Sequence, residues 1–377
     1  MNAAGIIFSN LNDNTLSRLT EDRTVAAIPF ACRYRLIDFS LSNMVNAAIS
    51  NINVVTNYNY RSLVEHIGSG KDWDLARRSG GINVISPYQT AHTPNAKLYT
   101  SRLEALLSME HGYIKNMKEE YVILSDCDFV CNIDLSDVVR AHNEKNADIT
   151  VVTVKIATDF TKKTQMLLVK TADDGRIVDF KLSNVYDETH PEMSANIFVM
   201  KTDYLRALVY DAKQNNANSL TRDVFMKHVE NKRFYAYCYA GYFACVSSFR
   251  DYFSYSIALA EDPTLRKSLL GLPERPIFTN VHNSAPTVYK SSASVKNSMI
   301  ADGCVIEGTV ENSIIFRGVR VKKGALIKNS VLFAGTNVGE GTTLNCVIAD
   351  KDVTVSDGIT LSGHKTIPFF IRKGQKV

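Results

Sequence analysis

Two acidic side chains, Asp126 and Asp128, stand where they could act on a ligand. They flank the end of the apolar segment 121–125, YVILS, which predicts a β-strand. Ligands on α/β sheets bind at the carboxyl ends of the strands, so a carboxylate pair at such an end can take part in binding or chemistry. The alternative is that both are solvated loop aspartates, and the sequence alone leaves the two interpretations open.

Three arginines, Arg23, Arg33 and Arg35, form a second group of candidate residues. A guanidinium group suits phosphate because it can donate two parallel hydrogen bonds. The alternative is an ion pair, for example with Asp38 or a glutamate. A further basic cluster predicts a solvated face of the C-terminal region; it comprises Arg317, Arg320, Lys322 and Lys323.

The segments that position these side chains alternate between strands and helices over residues 1–262. Four short apolar or β-branched runs predict strands, at 5–8, 52–56, 121–125 and 149–154. The stretches 36–48 and 103–117 predict helices. This alternation predicts an α/β domain with a mostly parallel sheet.

Length, charge and cysteine content limit the possible classes of protein. The chain has 377 residues, more than one hydrophobic core usually spans, so about two domains are expected. With 43 basic and 39 acidic residues the net charge is only +4, and a nucleic-acid-binding surface is not expected. No apolar run suits a membrane span and the N-terminus does not predict a signal peptide. Seven scattered cysteines predict reduced thiols in the cytoplasm and no zinc site.

Residues 284–377 carry a repeat. Aliphatic pairs recur 15 to 17 residues apart, and in three places glycine follows an Asn-Ser pair six residues after the asparagine. The three pairs are Asn297 and Gly303, Asn312 and Gly318, and Asn329 and Gly335. These spacings predict a left-handed parallel β-helix of hexapeptide repeats, with an ordinary β-sandwich as the alternative. Residues 263–283 hold three of the nine prolines and predict a linker.

Two segments resemble a known family. Residues 29–43, PFACRYRLIDFSLSN, are similar to the block PFGGKYRLIDFPLSN of bacterial ADP-glucose pyrophosphorylases (glucose-1-phosphate adenylyltransferases). Residues 66–75, HIGSGKDWDL, are similar to a second block of that family, and the resemblance spans nearly the whole chain. It implies a Rossmann-like, GT-A-like nucleotidyltransferase domain with a mixed sheet before the β-helix. It also implies a tetramer that makes ADP-glucose and pyrophosphate from ATP and glucose 1-phosphate for glycogen.

The loop that binds triphosphate in this family departs from the family pattern, LAGGxGTRL. The aligned positions hold Asn10, Leu11 and Asp13 in place of glycines and Thr15 in place of the arginine. Glycines let backbone N–H groups approach phosphates, so side chains and a carboxylate here oppose triphosphate binding. The lysine of the family segment RxKPAVPF is replaced by Val25.

The family positions for Mg²⁺ and for the sugar phosphate also depart. Asp128 matches the first metal aspartate, but Cys245 replaces the second, and a neutral thiol is a poor ligand for Mg²⁺. Asp126 could substitute for the lost carboxylate. The family's sugar-phosphate-binding lysine aligns near Leu182 of this chain, and Lys181 lies one position out of register.

No catalytic set is therefore intact. The family segment GTADA also has no counterpart in residues 100–105, TSRLEA. Losing one electrostatic element of a site typically lowers the rate by about 10²–10³-fold, and several are lost here. The pattern resembles the GlgD-type, non-catalytic branch of the family. This implies a regulatory subunit that modulates a catalytic partner subunit in a hetero- or homotetramer, with Mg²⁺ required only if residual nucleotidyl transfer exists.

The three arginines gain a role from the same resemblance. Family effectors are phosphorylated sugars or related anions, bound by cations near the first helix and at the junction with the β-helix. Arg23, Arg33 and Arg35 fall on or beside those positions, and we expect them to contact such an effector.

Three other functions stay open at this point. One is an active nucleotidyltransferase with a site rebuilt on Asp126 and Asp128. The second is a β-helix acyltransferase, for which His364 would be the catalytic histidine. The third is a homo-oligomeric sensor that binds a sugar phosphate or nucleotide without chemistry.

Overall fold

The computed structural model describes residues 1–9, 11, 13–86 and 98–377, which form an α/β domain followed by a three-sided prism of short strands. The strands of the first domain are β1 (Ala3–Phe8), β2 (Pro29–Phe30), β3 (Tyr34–Arg35), β4 (Asn51–Val55), β5 (Gly81–Ile85), β6 (Tyr121–Asp126), β7 (Phe129–Cys131), β8 (Ile149–Lys155), β9 (Thr161–Thr171), β10 (Ile177–Val185), β11 (Glu192–Lys201), β12 (Phe234–Cys238) and β13 (Phe243–Cys245). The helices are α1 (Leu36–Asn46), α2 (Arg61–Ile67), α3 (Arg102–Met109), α4 (Leu135–Glu144), α5 (Thr202–Gln214), α6 (Met226–His228), α7 (Phe249–Glu261) and α8 (Pro263–Leu270).

Nine of the described strands form one mixed sheet in the order β10-β9-β11-β6-β1-β4-β5, with β8 paired to β11 and β12. Strands β6, β1, β4 and β5 run parallel, whereas β11 runs antiparallel to β6, β8 and β9. The mixed sheet implied by the family is confirmed. The mostly parallel arrangement expected from the alternation holds among β6, β1, β4 and β5 and again between β8 and β12, whereas β9, β10 and β11 pair antiparallel. The carboxyl ends of β1 and β6 lie side by side at one edge of the sheet. The loop aligned with the family's triphosphate loop follows β1 there, Asp126 ends β6 and Asp128 comes two residues later.

Both faces of the sheet are covered. Strands β1 and β6 are buried along their full lengths, and alternate residues of β1 belong to two different hydrophobic clusters. Burial on both faces explains why these strands read as continuous apolar runs rather than as alternating ones.

The C-terminal prism consists of three five-stranded sheets in which every pairing is parallel. Its strands are β14 (Val288–Tyr289), β15 (Ser294–Lys296), β16 (Met299–Ile300), β17 (Val305–Ile306), β18 (Thr309–Glu311), β19 (Ile314–Ile315), β20 (Arg320–Val321), β21 (Leu326–Lys328), β22 (Val331–Leu332), β23 (Asn337–Val338), β24 (Thr343–Asn345), β25 (Val347–Ala349), β26 (Thr354–Val355), β27 (Thr360–Ser362) and β28 (Phe369–Ile371). Asn297, Asn312 and Asn329 have φ values between +45° and +47°, so the repeated asparagines occupy the left-handed turns. The predicted left-handed β-helix is thus confirmed in preference to a sandwich.

The segment between the domains is partly helical. Its first eight residues form α8, because Pro263 fits the first turn of a helix and the Asp262 carboxylate accepts the N–H groups of Thr264 and Leu265. Farther along, the N–H of Phe278 donates to Ser42 Oγ at 2.9 Å. The predicted linker is therefore ordered and attached to the first domain.

The two domains share a hydrophobic core. Helix α7 packs on the prism, with the rings of Tyr252 and Phe333 6.2 Å apart and those of Phe249 and Phe370 5.5 Å apart. A large apolar contact of this kind holds two domains in one arrangement. Among the described residues, no helix is both long enough and apolar enough to cross a membrane.

Candidate functional site

The described residues after β1 include a short helix and an inward-packed leucine. Asp13–Leu16 is a 3-10 helix, Leu16 is buried, and half-buried Leu11 packs against the core. Thr15 lines a surface cavity of about 810 Å³. Asn10 and the side chain of Asp13 lie outside the described residues. An apolar residue packed inward at Leu11 does not provide the open backbone cradle that a glycine loop offers to phosphate.

Val25 occupies the position of a family lysine and is only 1% exposed. It belongs to the short helix Val25–Ala27, all three residues of which are buried. The position therefore contributes to the core and does not present a side chain to a ligand.

The carboxylate of Asp126 is held by Arg102. The Arg102 Nε donates to Asp126 Oδ1 at 2.8 Å and its Nη2 donates to Oδ2, so both carboxylate oxygens accept from one guanidinium. Ser101 positions this arginine, because its hydroxyl accepts the N–H of Glu104 and caps α3. Burial alone would lower the pKa of Arg102, but Asp126 and, more weakly, Asp128 outweigh it and raise that pKa.

Asp126 and Asp128 are 2% and 3% exposed, so they are buried rather than solvated. The backbone carbonyl of Asp128 accepts the N–H of Val246, which joins the end of β6 to the segment after β13. The structure therefore brings together Asp128 and Cys245, the two positions at which the family places its metal aspartates. Asp126 lies beside them but is engaged by Arg102.

Cys245 cannot replace a metal-binding aspartate. Its thiol is buried, and burial together with the nearby Asp128 carboxylate raises its pKa well above the usual value. A protonated thiol is a weak ligand for a hard cation.

An ammonium group lies beside this position. Lys162 Nζ donates to the carbonyl oxygen of Cys245 at 3.1 Å and to Tyr255 Oη at 3.2 Å, and it is 3.1 Å from Asp251 Oδ1. The side chain of Lys162 is only 8% exposed. Burial would lower the pKa of Lys162, but these partners raise it. A fixed positive charge therefore adjoins the second metal position.

These residues do not fit a magnesium ion. Mg²⁺ prefers six oxygen ligands in near-octahedral geometry. Here Arg102 donates to both carboxylate oxygens of Asp126, and the neutral thiol of Cys245 stands where the family has its second carboxylate. Lys162 adds a second cation. Within the described ranges, no group of three or more His, Cys, Asp or Glu side chains could hold a metal ion. The role of Asp128 as a metal ligand stays a prediction without a second carboxylate to support it.

The sugar-phosphate position is apolar. Leu182 on β10 packs against the core, and the exposed Lys181 forms an ion pair with Asp187 in the same hairpin. A cavity of about 650 Å³ beside Cys245 has mostly apolar and aromatic walls. The lysine one step out of register does not supply the missing charge.

Sequence reasoning missed Arg102 and Lys162. Arg102 falls where the family segment GTADA is lost, so an unexpected cation was visible there. Lys162 gave no such signal, because a single lysine on an alternating strand usually faces solvent. Its burial depends on contacts with Asp251 and Tyr255, nearly a hundred residues away in the chain.

The arginines near α1 have different environments. Arg23 donates through Nη2 to both oxygens of Asp350 on the β-helix, at 2.8 and 3.0 Å, and the two side chains are 3% and 7% exposed. The partner is thus Asp350, not Asp38 or a glutamate. Arg35 donates to the carbonyl and hydroxyl oxygens of Ser62.

A cationic cleft of about 450 Å³ lies at the junction of the domains. Its lining includes Arg33, Arg35, Arg317 and Lys351, so one residue of the basic cluster faces this cleft instead of a solvated surface. Arg317 is paired with Asp302 at 3.1 Å. Burial and the nearby arginine charges lower the pKa of Lys351 to about 8, and burial lowers that of Arg35 to about 10.

Comparisons with known proteins agree with the fold. Residues 12–261 match the Nucleotidyl transferase family model, and residues 284–365 match the model described as GlmU-like, C-terminal hexapeptide. The chain is 37% identical over 375 residues to the glycogen biosynthesis protein GlgD of Geobacillus stearothermophilus. The aligned region covers 98% of this chain and 96% of that protein.

Two further relatives extend the comparison. GlgD of Bacillus subtilis is 33% identical over 86% of this chain and 82% of its own length. A glucose-1-phosphate adenylyltransferase of Bacillus cereus is 31% identical over 83% of this chain and 82% of its own length. The chain therefore belongs to the ADP-glucose pyrophosphorylase family of nucleotidyltransferases, with a likeness to its GlgD-type members, and this membership supports a role in glycogen biosynthesis.

Proposed function

We propose that this chain is a regulatory, catalytically inactive or weak subunit of a cytoplasmic glucose-1-phosphate adenylyltransferase, and that it modulates a catalytic partner subunit. The observation that carries the proposal is the arrangement at the end of β6. Asp126 is bound by Arg102, and the neighbouring metal position holds the thiol of Cys245. Nucleotidyl transfer needs a divalent cation to offset charge on the phosphates, and this arrangement does not provide for one.

The rest of the nucleotide site supports the same proposal. The loop after β1 is packed by Leu11 and Leu16, and Val25 and Leu182 replace two lysines with apolar side chains. Each change removes a contact that would stabilise phosphate charge in the transition state. The hydrophobic core, the sheet and the β-helix are retained, so a partner can still recognise the outer surface of the fold.

The direct test is an assay of ADP-glucose formation from ATP and glucose 1-phosphate with Mg²⁺. The chain alone is expected to give at most about one part in 10³ of the rate of an active family member. Adding it to the catalytic subunit from the same organism is expected to change kcat or KM and to give a mixed tetramer by light scattering. Normal turnover by the chain alone, or a partner whose kinetics and mass are unchanged, would refute the proposal.

The rebuilt-site alternative is tested in the same assay. If Asp126 and Asp128 supported chemistry, Asp128→Asn would abolish whatever activity the chain has alone. We expect Asp128→Asn and the wild type to have the same activity, because a rebuilt site would also need Asp126, whose carboxylate is already bound by Arg102.

We further propose that the cationic cleft at the domain junction binds a phosphorylated effector. Arg33, Arg35 and Lys351 line it, together with Arg317, which is paired with Asp302. Because Arg23 is buried against Asp350, it would support this cleft rather than contact the effector. Guanidinium groups around a cavity of this size suit a phosphate ester.

Inorganic phosphate and a sugar bisphosphate are suitable probes of the cleft in calorimetry. Lys351→Met is expected to weaken binding about tenfold or more, whereas Lys328→Met, which removes a cation paired with Glu311 elsewhere on the prism, is expected to have no effect. Affinity should fall as the pH rises through about 8, because Lys351 then loses its proton. Equal binding by both variants would refute the assignment.

A further inference from the structure

Two buried carboxylates and one guanidinium lie together at the end of β6. Arg102 donates to both oxygens of Asp126, and these two side chains are 19% and 3% exposed. Asp128 is close enough for its carboxylate to act on the charge of Arg102, and it is buried as well. One guanidinium thus faces two buried carboxylates.

A second cation, Lys162, lies close to the same group at Cys245. Lys162 contacts Asp251 and the carbonyl of Cys245, and the Cys245 thiol is close enough to sense Asp128 and Asp251. Two fixed cations therefore stand among three carboxylates. Both cations are side chains of the chain itself.

A divalent ion at Asp126 would compete with this arrangement. To coordinate the carboxylate it would have to displace a two-point hydrogen-bonded guanidinium, which donates N–H groups and has no atom to offer a metal. It would also approach the positive charge of Arg102 in a poorly solvated place, where repulsion is weakly screened. Removal of Arg102 alone would reverse the situation, leaving two buried carboxylates without that compensating charge.

We infer that Arg102 is a resident cation that takes the place of a divalent ion at the end of β6. The chain then neither needs nor binds a divalent ion at Asp126 and Asp128, and the exclusion depends on Arg102 itself. This inference goes beyond the proposed regulation of a partner. It is read out by metal binding, so it stands or fails whether or not the chain alters the kinetics of another subunit.

The experiment uses the full chain and Mn²⁺ alone as the probe. Calorimetry measures Mn²⁺ binding, and thermal unfolding is compared in Mn²⁺ and in chelator. The wild type is expected to show the same Tm in both conditions and no saturable binding at this site. Arg102→Met is expected to unfold at a lower Tm, to bind Mn²⁺ at least about tenfold more tightly than the wild type, and to regain stability as Mn²⁺ is added. The double variant with Asp126→Asn is expected to lose that Mn²⁺ response.

Arg233→Met is the matched control, because Arg233 also makes a two-point contact with an aspartate, Asp148, but at the surface. It is expected to show no response to Mn²⁺. Saturable Mn²⁺ binding by the wild type that Asp126→Asn removes would overturn the inference. So would an Arg102→Met protein that folds and gains no Mn²⁺ affinity. If Arg102→Met does not fold, the question is decided by the wild-type titration and by Arg102→Lys. Arg102→Lys keeps the positive charge and should show no response to Mn²⁺.

Discussion

Replacing Arg23 with methionine should weaken the attachment of the β-helix to the first domain. Arg23 and Asp350 are 327 residues apart in sequence and form a two-point ion pair with side chains 3% and 7% exposed. The guanidinium carbon also lies 5.8 Å from the centre of the Phe333 ring. Methionine keeps most of the packing volume but leaves the Asp350 carboxylate buried without its partner.

The size of the effect follows from this burial. Removing one member of a buried ion pair typically costs about 3–5 kcal/mol, because the remaining charge has no compensation. Replacing both members with apolar residues, as in Arg23→Met with Asp350→Leu, typically costs far less. The double variant should therefore be more stable than Arg23→Met alone, and the coupling energy between the two sites should be about 2 kcal/mol or more.

Urea unfolding followed by circular dichroism measures these free energies, and hydrogen exchange at β25 and β28 locates the change at the domain junction. The control is Arg233→Met, which breaks a half-exposed pair with Asp148 and should cost about 1 kcal/mol or less. An Arg23→Met protein as stable as this control, or a double variant whose cost equals the sum of the singles, would refute the reasoning. Loss of effector binding by an Arg23→Met protein of normal stability would instead place this arginine in contact with the ligand.

Three other measurements test local features. Ala48→Gly should stabilise the chain by about 0.5–1 kcal/mol, because exposed Ala48 follows Ala47, the C-cap of α1, with φ of +58°, and glycine adopts that conformation without strain. Ala207→Gly, on the exposed face of α5, should instead cost about 1 kcal/mol, and equal effects in urea unfolding would contradict this. Burial lowers the pKa of His142 to about 4, so the free energy of unfolding should decrease as the pH falls from about 6.5 towards 4. His142→Gln should remove about one proton from this pH dependence, and a variant whose unfolding free energy has the same pH profile as the wild type would contradict this. A thiol reagent should modify Cys238 before any other cysteine of the folded chain, since the other six are buried, and modification of several thiols before unfolding would show that this burial is wrong.

Much of the fold could be predicted because its signals are local. The asparagine and glycine spacings predict the prism, since each coil repeats the same turn, and Asn297, Asn312 and Asn329 adopt the expected left-handed conformation. The strand over 121–125 is an uninterrupted apolar run buried on both faces. The antiparallel half of the sheet was not predicted from periodicity, because strand direction depends on which distant strands pair.

The candidate site was predicted less completely. The sequence indicates which phosphate- and metal-binding groups are lost, at Leu11, Val25, Leu182 and Cys245, because a side chain of the wrong chemistry cannot serve at any distance. It does not indicate what replaces them. The burial of Asp126 was missed, since a loop aspartate and an aspartate held by a distant arginine look alike in sequence.

The sequence by itself indicated the two-domain organisation, the hexapeptide repeats and the departures from the family's catalytic motifs. Those properties depend on residue types, short spacings and resemblance. Only the tertiary structure decided which charges meet: Arg102 with Asp126, Lys162 with Asp251, and Arg23 with Asp350. The physical reason is that a charge buried in the fold must find a partner in space, and those partners lie 24, 89 and 327 residues away along the chain, distances that no local pattern records.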